Sequence, residues 1–218
     1  MSSPTITAQV DDFNVGFTEQ IGPELAAVFA QEQASLNREG VPEGAVAVGD
    51  RVRDADLVRT DGTVAPLSST LNGNPAVLVF YRGAWCPYCN IALQTYQRDL
   101  LPALRNEGVE LVAISPQTPE ASEQAVVNGG LRFTVLSDPG NLLIRELGII
   151  TEPVSAARDA HTALGFDVAD SNADATGDIP FPTVLVVDAD RVVRFADVHV
   201  DYTTRTEVST ILAAVDAL

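Results

Sequence analysis

Apolar residues along this chain fall into two kinds of run. One kind is short and almost wholly apolar: Ala76–Tyr81 (Ala-Val-Leu-Val-Phe-Tyr), Val109–Ser115, Phe133–Leu136 and Thr183–Val187. Runs of that length, without polar alternation, predict strands buried on both faces. The other kind has helical spacing. Ile21, Leu25, Val28, Phe29 and Leu36 share a face over Thr18–Arg38, with Thr18 placed to cap and Gly40 to stop. Ile91, Leu93, Tyr96, Leu100 and Leu104 predict a long helix after Cys89, interrupted by Pro102 and ended by Gly108. Val208, Ile211, Leu212 and Val215 mark the apolar face of a closing helix over Thr203–Leu218. Shorter helices are predicted over Pro119–Val127 and Asn141–Leu147.

Turn residues punctuate these runs. Asp61-Gly62 between short apolar runs signals a hairpin, and Asp188-Ala189-Asp190 joins Thr183–Val187 to a second strand over Arg191–Val198. Residues 1–17 show no clear period, which predicts a frayed or surface-lying segment. In 151–178, Pro153–Leu164 is helix-compatible and Val168–Asp178 reads as an acidic surface loop. The order is hairpin, β-α-β-α-β-α, then β-hairpin and helix. It predicts an α/β chain with a central sheet flanked by helices. The sheet should be mixed, because the last strand pair is too closely joined to be parallel. Residues 1–44 form an N-terminal helical extension and 45–218 the main domain. The apolar face of the extension is expected to cover the core or a second subunit, so a homodimer is among the expectations.

Formal net charge is −17, from 30 acidic and 13 basic residues, and every basic residue is Arg. Nucleic acid and anionic membrane surfaces both require a basic patch, so neither is an expected partner. No run approaches the ~18–20 apolar residues of a membrane span. The start lacks a basic segment followed by an apolar one, so a cytoplasmic protein is expected.

The chemistry concentrates in Trp85-Cys86-Pro87-Tyr88-Cys89, which holds the chain's only two cysteines between a predicted strand and a predicted helix. Strand, tight turn, Cys-x-x-Cys and helix is the thioredoxin-like redox arrangement. The thiolate is the reactive form, and a helix N-terminus lowers a cysteine pKa from ~8.5 toward ~3.5–7.5. Residues three apart on a first turn lie near disulfide distance, so Cys86 and Cys89 can cycle between dithiol and disulfide. A structural zinc site needs four ligands, and only His161 and His199 remain as soft partners, so no metal or other cofactor is expected. Arg82, four residues before Cys86, is a fixed cation and a candidate N–H donor at this site. Trp85, Pro87 and Tyr88 shape access. Phe181-Pro182 leads into a strand where thioredoxin-like folds place a cis proline facing the cysteines. The residue before that proline offers backbone hydrogen bonds to an extended substrate. His161, His199 and Tyr202 read as structural, and Arg205 as a position to watch.

Phe80-Tyr81-Arg82-Gly83-Ala84-Trp85-Cys86-Pro87-Tyr88-Cys89-Asn90 resembles the peroxiredoxin-like branch of the alkyl hydroperoxide reductase/thiol-specific antioxidant (AhpC/TSA) family. So do Val109–Gln117 and Leu136-Ser137-Asp138-Pro139-Gly140, and the likeness spans about 46–218. It implies a thioredoxin-like fold and reduction of hydroperoxides through a Cys86–Cys89 disulfide, with a thioredoxin-type reductant. In the family's Pro-x-x-x-Thr-x-x-Cys pattern, Cys89 takes the peroxidatic position, Cys86 replaces the Thr and Arg82 the Pro. The family's second active-site Arg would fall near Pro182. In the thioredoxin register, Cys86 is instead the exposed attacker and Cys89 resolves. Two further functions stay open: exchange with protein disulfides, and a non-enzymatic redox sensor.

Overall fold

The computed structural model describes residues 3–218. In chain order the elements are α1 (Ile6–Glu39), β1 (Asp56–Arg59), β2 (Val64–Pro66), α2 (Leu67–Leu71), β3 (Ala76–Phe80), α3 (Pro87–Thr95), α4 (Leu101–Glu107) and β4 (Glu110–Ser115). There follow α5 (Pro119–Gly129), β5 (Thr134–Ser137), α6 (Leu142–Glu146), β6 (Ile150–Thr151), α7 (Ser155–Ala163), α8 (Val168–Ser171), β7 (Ile179–Pro180), β8 (Thr183–Val187), β9 (Val193–Val198) and α9 (Val208–Val215).

Seven strands form one sheet in the order β2-β1-β5-β4-β3-β8-β9. Strands β3, β4 and β5 run parallel; β1 joins β5, and β8 joins β3, antiparallel. The sheet is therefore mixed, as the short β8–β9 connection requires. Side chains of β3 alternate between two cores. Val77 and Val79, with Tyr81 beyond the strand end, face the side of α3, α4 and α9, while Ala76, Leu78 and Phe80 face the side of α2 and α6. Burial of β3 on both faces explains its unbroken apolar run. Phe80 lies in the second core.

The N-terminal segment departs from expectation. The helix starts at Ile6 rather than Thr18, and the Thr5 hydroxyl caps it by accepting from the Ala8 N–H at 3.1 Å. Gly22 (φ 81°, ψ 164°), followed by Pro23, breaks α1 into two arms. That backbone region is open only to glycine, and the residue before a proline is already disfavoured as helix. The first arm lacks a simple period because its two faces serve different neighbours. Ile6 and Val10 enter the core, while Phe17 and Ile21 turn toward a cavity. The extension packs on α3 and α7 of its own chain.

Two other boundaries move. The helix after Cys89 absorbs Pro102 by widening into a π-turn over Tyr96–Leu100 before α4 begins. The closing helix begins at Val208, not Thr203, because Asp201 folds Thr203 into a turn and Glu207, extended at the N-cap position, turns its carboxylate to the start of α1 rather than to this helix. The released loop carries Arg205. In 151–178, α7 lies within the expected helix. Val168 of the expected surface loop is buried at the start of the short α8.

Candidate active site

Strand β3 delivers the chain to the turn Tyr81–Cys86, and α3 begins immediately after it. Cys86 is the N-cap of α3 and Pro87 its first residue, where a missing N–H costs nothing. The turn is fixed by short hydrogen bonds: Cys86 N–H to the Gly83 carbonyl (3.1 Å), Ala84 N–H to Gln117 Oε1 (2.8 Å) and Asn90 Nδ2 to the Ala84 carbonyl (2.8 Å). Gly83 has φ 153°, and a Cβ there would stand 2.4 Å from Trp85 Nε1. Only glycine lets the indole fold back over this turn.

Both cysteines are reduced and buried, Cys86 at 1% exposure and Cys89 at 0%. The expected exposed Cys86 is therefore covered. Arg205, from the loop between β9 and α9, is also buried at 8% exposure. Its Nη1 donates to the carbonyls of Tyr202 (2.7 Å) and Thr204 (2.5 Å), which aims Nη2 at the sulfurs. Nη2 lies 2.9 Å from Cys89 Sγ and 3.8 Å from Cys86 Sγ. No carboxylate lies within ion-pair distance of Arg205 among the described residues. A buried guanidinium needs an anion, and the Cys89 sulfur is the group it meets.

The two thiols are driven apart accordingly. Burial pushes the Cys86 thiol well above its ordinary range, and the neighbouring Cys89 adds to this. Burial also acts upward on Cys89, but the Cys86 thiol donating to it, Arg205, and Arg82 outweigh that and hold it well below its ordinary range. Of the two sulfurs, Cys89 is therefore the one whose surroundings favour the anion. The arginine set against the sulfurs is Arg205, which the sequence marks only as a position to watch. Its position after β9 gives no sign in the sequence of reaching α3, except that family-like positions recur around Asp201-Tyr202.

Arg82 lies at 5% exposure with its guanidinium 4.3 Å from the centre of the Tyr202 ring and 5.0 Å from that of Trp85. Such stacking stabilises the cation while leaving its N–H groups for another partner. Trp85 stacks on Phe166 with 5.4 Å between ring centres, and His161 lies 5.6 Å away. Burial first, then the Arg82 charge, lowers His161 to about 4, so the ring is neutral near pH 7. The Tyr88 hydroxyl donates to Asn14 Oδ1 at 2.8 Å, tying α3 to the first arm of α1. A cavity of about 510 Å³ opens beside Cys86, Arg82, Trp85, Pro87 and Tyr88, with α1 as one wall. Cys89 faces a separate void of about 10 Å³, shared with Arg205, His199 and Pro182.

The Phe181–Pro182 expectation fails in two respects. The described residues contain no cis peptide bond; trans is the lower-energy form of an X–Pro bond by roughly 0.5–1 kcal/mol. The Phe181 N–H is already donated to the Ile149 carbonyl at 2.7 Å, beside the small β6–β7 ladder, so it is not free for a substrate strand. Pro182 borders the Cys89 void, and Phe181 is buried behind it. His199 is held by Thr204, Asp197 and Thr206 within the Arg205 loop.

A family model described as the AhpC/TSA family matches residues 48–196. The chain belongs to the AhpC/TSA family. Among curated relatives, the chloroplastic Peroxiredoxin Q of Triticum aestivum is 30% identical over 127 residues, covering 57% of this chain and 58% of that protein. The thiol-disulfide oxidoreductase ResA of Bacillus thuringiensis (strain Al Hakam) is 31% identical over 86 residues, covering 39% of this chain and 49% of that protein. The chain thus spans about half the length of the curated relatives it matches. Among solved structures, reduced Prx3 in complex with H2O2 from Vibrio vulnificus superposes with a TM-score of 0.63 at 20% identity, covering 78% of this chain and 96% of that one. At that identity the likeness is one of fold, and the fold is the expected thioredoxin-like one. The α1 helix lies outside the matched family region.

Proposed function

We propose that this AhpC/TSA protein is a thiol peroxidase that reduces hydroperoxides through a Cys86–Cys89 disulfide, with Cys89 as the attacking thiolate. The observation that carries this reading is the buried Arg205 guanidinium 2.9 Å from Cys89 Sγ. The Cys89 thiolate attacks one peroxide oxygen, and the O–O bond breaks. The departing oxygen takes the proton of the Cys86 thiol, leaving Cys89 as sulfenic acid. The Cys86 thiolate then attacks the Cys89 sulfur, and hydroxide leaves, protonated by solvent to water. Arg82 and Arg205 supply N–H donors to the developing negative charge. A thioredoxin-type dithiol restores the pair. Its thiolate meets Cys86, the sulfur on the cavity side, and expels Cys89, a good leaving group because Arg205 stabilises its anion.

Sulfenic-acid trapping with mass spectrometry tests the assignment. Cys86→Ser is expected to accumulate trapped sulfenic acid at Cys89, while Cys89→Ser reacts with H2O2 no faster than a free thiol. Trapping at Cys86 instead would reverse the roles. A second reading, exchange with protein disulfides, rests on Cys86 lining the open cavity and on the ResA likeness; rapid insulin reduction together with slow peroxide oxidation would favour it. The main domain over 45–218, a cytoplasmic location and a homodimer belong to the same proposal, and light scattering tests the last. Among the described residues no helix is long and apolar enough to cross a membrane.

A further inference from the structure

Arg205 serves Cys89 only while its guanidinium is aimed, and the loop that carries it lies beyond the sheet, between β9 and α9. One side chain locks that loop. His199 follows directly on β9, and its backbone N–H donates to the Pro182 carbonyl at 2.8 Å. This bond extends the β8–β9 ladder by one step in the same register, so the base of the ring is fixed to the sheet. The ring then reaches both residues that flank Arg205. Nδ1 lies 2.7 Å from Thr204 Oγ1, and Nε2 lies 3.1 Å from Thr206 Oγ1. Nε2 is also 3.1 Å from Asp197 Oδ2, the oxygen to which the Thr206 hydroxyl donates at 2.8 Å. The Thr204 hydroxyl donates to the Asp201 carbonyl at 2.8 Å, and the Tyr96 hydroxyl donates to the Thr206 carbonyl at 2.6 Å. The chain is therefore held on both sides of Arg205, and the Thr204 carbonyl is one of the two that accept from its Nη1. Imidazole suits the task because it is a rigid plane with a polar atom on either side.

We propose that His199 is a positioning residue: by clamping Thr204 and Thr206 it holds the backbone that aims Arg205 at Cys89 Sγ. Among the described residues His199 makes no hydrogen bond to either sulfur, so it acts through Arg205. The assignment deepens the peroxidase reading, on which its meaning for catalysis rests. Cys86→Ser leaves one thiol, and ultraviolet absorbance against pH then gives the ionisation midpoint of Cys89. In that background His199→Leu and Thr206→Val should each raise the midpoint by about one unit, the lower end of what a cation within ~4–6 Å contributes. At the pH of the original midpoint the thiolate fraction then drops from about one half to about one-eleventh, and the rate of oxidation by H2O2 should fall about fivefold. Thr206→Ser keeps the hydroxyl and should keep the midpoint. In Arg205→Leu, adding His199→Leu should shift nothing further, because no guanidinium is left to aim.

An unmoved midpoint in both His199→Leu and Thr206→Val with native circular dichroism, or a shift of the same size without Arg205, overturns the inference. The midpoint is read without any peroxide. If it moves as expected but H2O2 oxidises Cys89 no faster than a free thiol, the peroxidase reading falls while the aiming of Arg205 by His199 stands. If H2O2 reacts fast and the midpoint stays in place, the positioning role alone falls.

Discussion

At the scale of single residues, Arg205 is the buried cation that favours the anion of Cys89 over that of Cys86. Its guanidinium is buried, is held by two backbone carbonyls and reaches Cys89 almost an ångström closer than Cys86. Replacing it by Leu removes the fixed cation. Each unit by which the Cys89 pKa then rises above the working pH cuts the thiolate fraction tenfold. A loss on the order of 100-fold in oxidation rate by H2O2 near pH 7 is expected, with partial retention in Arg205→Lys. Ultraviolet thiolate absorbance against pH is the check, because a purely structural role would leave its midpoint unmoved. In wild type, reactivity should persist below the ~8.5 of a free thiol and vanish only as pH falls through the depressed Cys89 value. His161 gives a separate pH signature. Unfolded, it takes up a proton near pH 6.5, but folded and buried it refuses one until about 4. The unfolded state therefore gains protons first, and the His161 contribution to stability falls as pH drops from about 6.5 toward 4. His161→Phe should flatten that part of the curve, read as urea midpoints of the two proteins at several pH values. Burial of Glu32 and Asp138 raises their carboxyl pKa values and acts in the opposite sense, so the difference between the proteins is the informative quantity.

At the scale of elements, the extension is bound to the main domain through helix ends. The Glu207 carboxylate accepts from the Ile6 N–H at 3.0 Å and the Thr7 N–H at 2.8 Å, capping the start of α1 from the start of α9. Glu32, near the far end of α1, accepts from the Val154 N–H at 3.0 Å, where Val154 is the N-cap of α7. Carboxylates at helix N-termini satisfy orphan N–H groups and oppose the positive end of the dipole. Glu207→Ala should therefore cost about 1–2 kcal/mol, measured by denaturant unfolding. Because the first arm of α1 also carries Asn14 and Phe17, the same change should perturb Trp85 fluorescence in the folded protein. These caps were not legible in the sequence: Glu207 lies about 200 residues from the N–H groups it serves. The strands were legible because a buried strand needs only local apolar length. The α1 start was missed because its two faces meet different surroundings, which erases a single period.

At the scale of the whole molecule, a net charge of −17 with no Lys makes the folded chain repel itself. Added salt screens that repulsion, since the Debye length shrinks from ~10 Å at 0.1 M to ~3 Å at 1 M. The melting temperature should therefore rise with NaCl over that range. A flat response in differential scanning calorimetry would show that the repulsion is already offset by local pairing. The same acidity leaves the cluster of Arg82 and Arg205 as an island of positive charge beside the cysteines.

The sequence by itself determined the sheet, the alternation of strand and helix, the Cys86–Cys89 pair at a helix start and the family to which the chain belongs. These follow from local apolar patterns and contiguous residues, which need no knowledge of distant neighbours. Tertiary structure decided the rest. It brought Arg205 across from the loop after β9 to Cys89, kept Phe181–Pro182 trans with its N–H engaged, and folded α1 back as the wall of the cavity. Each depends on groups far apart in the chain meeting in a buried place. There an unpaired cation must find an anion, and a free N–H must find a carbonyl.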